Sequence, residues 1–162
     1  MNLVLVGFSA AGKTSFGSKA AARLALPFYD TDAFLGDNQE AVRALHLEIG
    51  EEAFREREHG VLRALEDVEG ALISTGGGLP LLPKNRLLLK QLGKVVYLQA
   101  SFTALEERLK RREKPSFLKA WGELKKLYDT RLPLYKEVAD NVLDTQSLTP
   151  EEIVDKLCAL YD

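Results

Sequence analysis

The run Leu3-Val4-Leu5-Val6, followed at once by Gly7-Phe8-Ser9-Ala10-Ala11-Gly12-Lys13-Thr14, constrains this chain more than any other stretch. A short unbroken apolar run reads as a strand buried on both faces of a parallel sheet. The stretch from Gly7 to Thr14 fits G-x-x-x-x-G-K-[ST] in full and leads into a helix predicted over residues 13–24, the setting in which that spacing is informative. Backbone N–H groups of such a loop and of the helix N-terminus point at phosphate, where the helix dipole favours negative charge. In this reading Lys13 reaches the β and γ phosphates of a nucleotide and the Thr14 hydroxyl ligates Mg2+. A glycine-rich turn with a solvated lysine is the bland alternative, and the strand and helix on either side argue against it.

The rest of the chain repeats the alternation. Strands are predicted over 28–30, 71–75, 94–98 and 141–144. Residues 33–68 read as mostly helical, broken near Gly36 and Gly50. Further helices are predicted over 83–92, 102–113, from beyond Lys114-Pro115 to 130, and over 133–138. Thr149-Pro150-Glu151-Glu152 opens the last helix with an N-cap, a proline at the first helical position and a capping box. Strands separated by helices predict right-handed crossovers and an α/β fold: three α/β/α layers around a five-stranded parallel sheet. Ligands in such folds bind beyond the carboxyl ends of the strands, where Gly7, Asp30, Gly76, Ala100 and Asp144 fall.

Composition sets the limits. The 162 residues, 46% of them apolar, suit one well-packed domain spanning 1–162. A formal net charge of −2 gives no reason to expect nucleic acid or an anionic membrane as partner. The first residues lack the basic start and apolar core of a signal peptide, and no stretch approaches the ~18 apolar residues of a membrane-spanning helix. One cysteine, Cys158, cannot form an internal disulfide, and no Cys/His cluster suggests zinc. A soluble, cytoplasmic domain is expected, with monomer as the default.

Four further constellations bear on chemistry. Asp30-Thr31-Asp32 closes the second strand; in an extended segment the two carboxylates point the same way, one toward the water shell of Mg2+ and one toward an attacking hydroxyl. An aspartate capping the next helix is an equal alternative. Arg55 and Glu58 share a helix face, where the arginine could grip a carboxylate in bidentate fashion or form a surface ion pair. Gly76-Gly77-Gly78 admits close approach of a ligand to the backbone, or makes a tight turn. Arg131-Leu132-Pro133-Leu134-Tyr135 puts another arginine at a helix start, functional or merely solvated.

Taken in order, these residues resemble the shikimate kinases, P-loop enzymes of the nucleoside-monophosphate-kinase-like group. The matches are the phosphate loop, Asp30-x-Asp32, Phe54-Arg55 with Glu58, the triple glycine, Arg-x-Pro-Leu-Tyr at 131–135, and Asp144-Thr145 as the adenine-side loop. The resemblance implies phosphorylation of the 3-hydroxyl of shikimate by ATP, a step toward chorismate and the aromatic amino acids. It implies that Ala10, Ala11, Gly12, Lys13, Thr14 and Ser15 bind the nucleotide, with Arg108 near the adenine and Lys114 on the lid. Asp32 would contact the reacting hydroxyls and serve as base, and Asp30 would help organise Mg2+ through water. Arg55 and Arg131 would hold the shikimate carboxylate, with Gly76, Gly77 and Gly78 lining the acceptor. Residues 32–60 would form the helical acceptor-binding region and residues 109–120 a mobile lid.

The chain departs from the pattern at several points. The lid usually reads Arg-Pro-Leu-Leu; here it is Lys114-Pro115-Ser116-Phe117, which keeps the charge but not the guanidinium fork. Arg111 or Arg112 could substitute by a register shift. Ala10 stands where glycine is common, and His46 where an aromatic wall of the acceptor pocket is expected; His46 and His59 read as packing or surface residues. Two other readings are open on the residues alone: a related small-molecule kinase acting on a nucleoside monophosphate or gluconate, or a nucleotide-binding regulator that has lost catalysis.

Overall fold

The computed structural model describes residues 1–112, 114–116 and 118–162. Strand β1 (Leu3–Val6) leads into helix α1 (Lys13–Leu24), and β2 (Phe28–Asp30) into a 3-10 turn over Thr31–Phe34. Helices α2 (Gln39–Ile49) and α3 (Glu51–Ala64) precede β3 (Leu72–Ser74). Then come α4 (Pro83–Leu92), β4 (Lys94–Gln99), α5 (Phe102–Lys110), α6 (Leu124–Val138), β5 (Asn141–Asp144) and α7 (Pro150–Tyr161). The strands form one parallel sheet in the order β2-β3-β1-β4-β5, with Val4 paired to Ile73 on one side and Val95 on the other.

The pleat sorts the apolar residues into two cores. Val4, Val6, Ile73, Val95 and Tyr97 face a layer built from α3, α4, α5 and α6. Leu3, Leu5, Leu72, Val96, Leu98 and Leu143 face α1 and α7. This is the three-layer fold expected from the alternation. The capping box at Thr149 and Glu152 forms as read from the sequence, and α1 and α7 are clasped at the surface by Arg23 with Glu151 and Asp155. No helix among the described residues is long and apolar enough to cross a membrane.

Three local expectations change. Helix α5 stops at Lys110 rather than reaching 113, and both Glu113 and Phe117 lie outside the described residues. The break expected between residues 130 and 133 does not occur: α6 runs straight through Pro133. Its buried stripe Leu124, Tyr128, Arg131, Tyr135 and Val138 keeps helical spacing against the sheet, while Pro133 and Asp129 face solvent. Water can therefore serve the Asp129 carbonyl that the proline leaves without a donor, and burial of the stripe outweighs the lost bond. Arg131 thus sits in mid-helix, 2% exposed, not at a helix start. Finally, the segment after Asp30 is not extended. The Asp30 side chain accepts from the Asp32 N–H at 2.9 Å and caps the 3-10 helix, the capping alternative read from the sequence.

Candidate active site

A cleft of about 680 Å3 opens at the carboxyl ends of β1, β2 and β3. Its floor is the phosphate loop. Gly12 has φ +97, which suits glycine, and a Cβ there would strike the Phe16 ring. Ala10 also lies in the left-handed region, at φ +71. Its carbonyl accepts a hydrogen bond from Arg108 Nη1 at 2.9 Å. Lys13 is buried, and its ammonium donates to the carbonyls of Gly7 (2.6 Å) and Phe8 (2.9 Å). Burial pulls its pKa down to about 8, against the upward pull of Asp32 and Asp30. Thr14 Oγ1 donates to Asp30 Oδ2 at 2.9 Å, bringing a hydroxyl and a carboxylate together beside the loop.

The opposite wall comes from the 3-10 turn, α3, the triple glycine and α6. Asp32 lines the cleft, and burial, together with the Asp30 charge, raises its carboxyl above the usual range. Gly76 is held by its N–H to Thr31 Oγ1 at 3.0 Å. A Cβ on Gly76 would lie 2.8 Å from Asp32 Oδ1 and 3.0 Å from Glu58 Oε2, so both carboxylates face this glycine. Arg55 is gripped between two acids: Nε donates to Glu51 at 2.6 Å and Nη1 to Glu58 at 2.6 Å. Burial pushes Glu58 up to about 7 despite that partner. Arg131 lies over the Phe8 ring, 5.5 Å from its centroid, on the same buried face of α6 as Tyr135. Tyr135 donates to the Gly77 carbonyl at 2.6 Å and packs against Tyr97.

The cleft therefore gathers Ala10, Gly12, Lys13, Thr14, Ser15, Asp32, Arg55, Gly76, Gly77, Gly78 and Arg131, all singled out from the sequence. Ala11 is instead packed in the core, and Asp30 and Arg108 stand behind the loop. Lys114 is not in the cleft wall. Its ammonium donates to the Lys119 carbonyl at 2.7 Å, while Arg112 lines the cleft and its charge reaches Lys13. Helix α2 adds Gln39, Arg43 and His46, none of which belongs to a motif. Their i, i+4, i+7 spacing makes a polar helical stripe, the signal in the sequence that could have found Gln39 and Arg43 beside His46, which already stood at the expected pocket wall.

The shikimate kinase family model matches residues 9–161 of this chain. The chain belongs to the shikimate kinase family. It is 35% identical to a shikimate kinase of Syntrophus aciditrophicus, over 96% of this chain and 88% of that protein. It is 41% identical to one from Cupriavidus pinatubonensis, over 89% and 77% respectively. Its structure superposes on the Acinetobacter baumannii shikimate kinase in complex with shikimate with a TM-score of 0.89, at 33% identity over 99% of this chain and 92% of that one. The fold expected for a P-loop shikimate kinase is thus the one observed. Within that family frame, Ala10 occupies a left-handed position without a glycine, and His46 is enclosed in the pocket wall rather than on the surface.

Proposed function

We infer that this protein is an ATP-dependent shikimate kinase that transfers the γ-phosphate of ATP to the 3-hydroxyl of shikimate. The observation that carries the reading is the convergence, in a chain of this family, of a phosphate loop, the half-buried Asp32 carboxylate and two buried arginines on one cleft. An anionic polyol needs cations for its carboxylate and an acid–base group for its hydroxyl. Arg55 and Arg131 supply the first and Asp32 the second. Neither Glu51 nor Glu58 engages Arg55 Nη2 among the described residues, so the shikimate carboxylate is read as meeting that nitrogen.

In the reaction the 3-hydroxyl oxygen attacks the γ-phosphorus in line, the bond to the β,γ-bridging oxygen breaks, and ADP leaves with that electron pair. The hydroxyl proton passes to Asp32, whose raised pKa suits acceptance. Loop N–H groups and Lys13 hold the phosphates, and Lys13 exchanges its two loop carbonyls for phosphate oxygens. Arg112 is the lid cation in this reading, in place of Lys114. Thr14 and Asp30 offer hard oxygen ligands 2.9 Å apart, a donor set suited to Mg2+, which takes few protein oxygens and completes its shell with phosphates and water. When bound, that ion would offset negative charge on the phosphate oxygens. Residues 32–60 act as the acceptor-binding region and residues 109–120 as the lid. The protein is further read as a cytoplasmic monomer.

ADP release should be measured with Mg-ATP and, separately, shikimate, gluconate, AMP, CMP or no acceptor. Release dependent on shikimate, with the phosphate located at the 3-position by mass spectrometry and product NMR, is expected. Equal release in every well, or none with shikimate, overturns the reading.

A further inference from the structure

We propose that His46 is a positioning residue that ties the lid to the arginine gripping the acceptor. The inference rests on the shikimate kinase reading and extends it to a residue outside the motifs. Helix α2 turns one polar face to the cleft, and two of its side chains fasten the lid. Arg43 Nε donates to the Lys114 carbonyl at 3.0 Å, and His46 Nδ1 meets Ser116 Oγ at 2.8 Å. The other ring nitrogen, Nε2, meets Glu51 Oε2 at 2.5 Å. The second oxygen of that same carboxylate takes the hydrogen bond of Arg55 Nε at 2.6 Å. An unbroken chain of hydrogen bonds thus runs from the lid to Arg55.

The geometry leaves His46 little freedom. The ring is 7% exposed and stacks on Phe54, with centroids 4.2 Å apart and planes 15° from parallel. Phe54 also carries the Arg55 guanidinium, 5.4 Å from its centroid. The α2–α3 corner at Gly50, φ +87, brings His46 and Glu51 together although they lie on different helices. The carboxylate accepts only, so Nε2 donates, and Nδ1 of a neutral ring accepts from the Ser116 hydroxyl. Should the ring carry a second proton, the hydroxyl reverses its role and the bridge persists. Burial raises the Glu51 carboxyl, but the Arg55 charge and the hydrogen bonds from Arg55 and His46 outweigh it, so Glu51 remains an anion able to serve both sides. Ser116 and His46 are both places where this chain departs from the family pattern, and here they are partners.

A docked lid therefore helps to fix Glu51, and Glu51 fixes the Nε edge of Arg55. Losing the bridge loosens Glu51 at the Nε edge, leaves Glu58 as the firmer hold on Arg55, and costs acceptor affinity rather than nucleotide affinity. The test compares wild type with Ser116→Ala, His46→Phe, His46→Gln and the Ser116→Ala/His46→Phe pair. His46→Phe keeps the stack on Phe54 and removes both hydrogen bonds; His46→Gln retains a donor and an acceptor.

Ser116→Ala and His46→Phe are expected to raise the shikimate KM about two- to tenfold, with the ATP KM within twofold. The pair should be no worse than His46→Phe alone, and His46→Gln should recover at least half of the loss. Additive effects, equal rises in both KM values, or an unchanged shikimate KM in Ser116→Ala would overturn the proposal. Trypsin cleavage after Arg112 or Lys119 in the ligand-free protein gives a readout without turnover. It should quicken in Ser116→Ala, and an unchanged rate also overturns the bridge. Absence of shikimate phosphorylation by wild type would remove the functional reading, and the cleavage rates alone would then decide whether the bridge exists.

Discussion

The backbone of Gly78 lies directly against the guanidinium of Arg55: a Cβ on that glycine would overlap Cζ and both terminal nitrogens. Arg55 cannot simply swing aside, because Glu51 and Glu58 hold it from two directions. Gly78→Ala should therefore raise the shikimate KM more than tenfold, equivalent to more than about 1.4 kcal/mol, and leave the ATP KM nearly unchanged. Steady-state kinetics with each substrate varied checks this, and equal shifts in both constants would contradict it.

Asp32→Asn removes the proton acceptor while keeping size and hydrogen-bonding capacity. Turnover should fall to background with ATP affinity within about threefold, since Asp32 is not among the groups bonded to the phosphate loop. Isothermal titration alongside ADP release separates the two. Turnover within tenfold of wild type would assign the base elsewhere.

Lys13 gives a pH dependence with a definite sign. With its pKa pulled down to about 8, the ammonium is charged below that pH and neutral above it. ATP affinity should be flat below pH 8 and fall by at most about tenfold per unit above it. Binding at pH 8.5 should take up protons, detectable by titration calorimetry in buffers of different ionisation enthalpy. No net uptake would show that Lys13 is already fully charged in the free protein.

The lid cation can be settled by paired substitutions. Arg112 faces the cleft and Lys114 points to the Lys119 carbonyl. Arg112→Ala should lower kcat about a hundredfold and Lys114→Ala less than fivefold. The reverse order would restore the assignment made from the lid pattern.

At Ala10 a substitution should help. A non-glycine residue in the left-handed region costs about 1–2 kcal/mol, and glycine returns about 0.5–1 kcal/mol of that in lost chain entropy. Ala10→Gly is expected to stabilise the protein by up to ~1 kcal/mol, raising Tm by about 2–4 °C at most. A lower Tm would mean that the Ala10 methyl contributes packing that exceeds the strain.

Strand and helix order was legible because both signals are local: apolar runs bounded by glycine, and caps such as Thr149 with Glu152. The continuity of α6 was not, because the rule that proline ends a helix ignores what Tyr128, Arg131 and Tyr135 gain by staying in register on the sheet. The same limit governed the site. Motif residues with fixed spacing, Lys13, Arg55 and Gly78, could be named from the chain alone. The roles of His46 and Arg43 could not, since their partners Ser116 and Lys114 lie 70 and 71 residues away. Side-chain direction was the other blind spot: Lys114 occupies the motif position, and only the fold shows that its ammonium turns away.

Tyr135 holds the Gly77 carbonyl through its phenol hydroxyl, while its ring is part of the core behind it. Removing that oxygen would leave the ring in place and release the glycine wall of the cleft. A lineage drifting from tyrosine to phenylalanine here would relax its choice of acceptor well before it lost its fold.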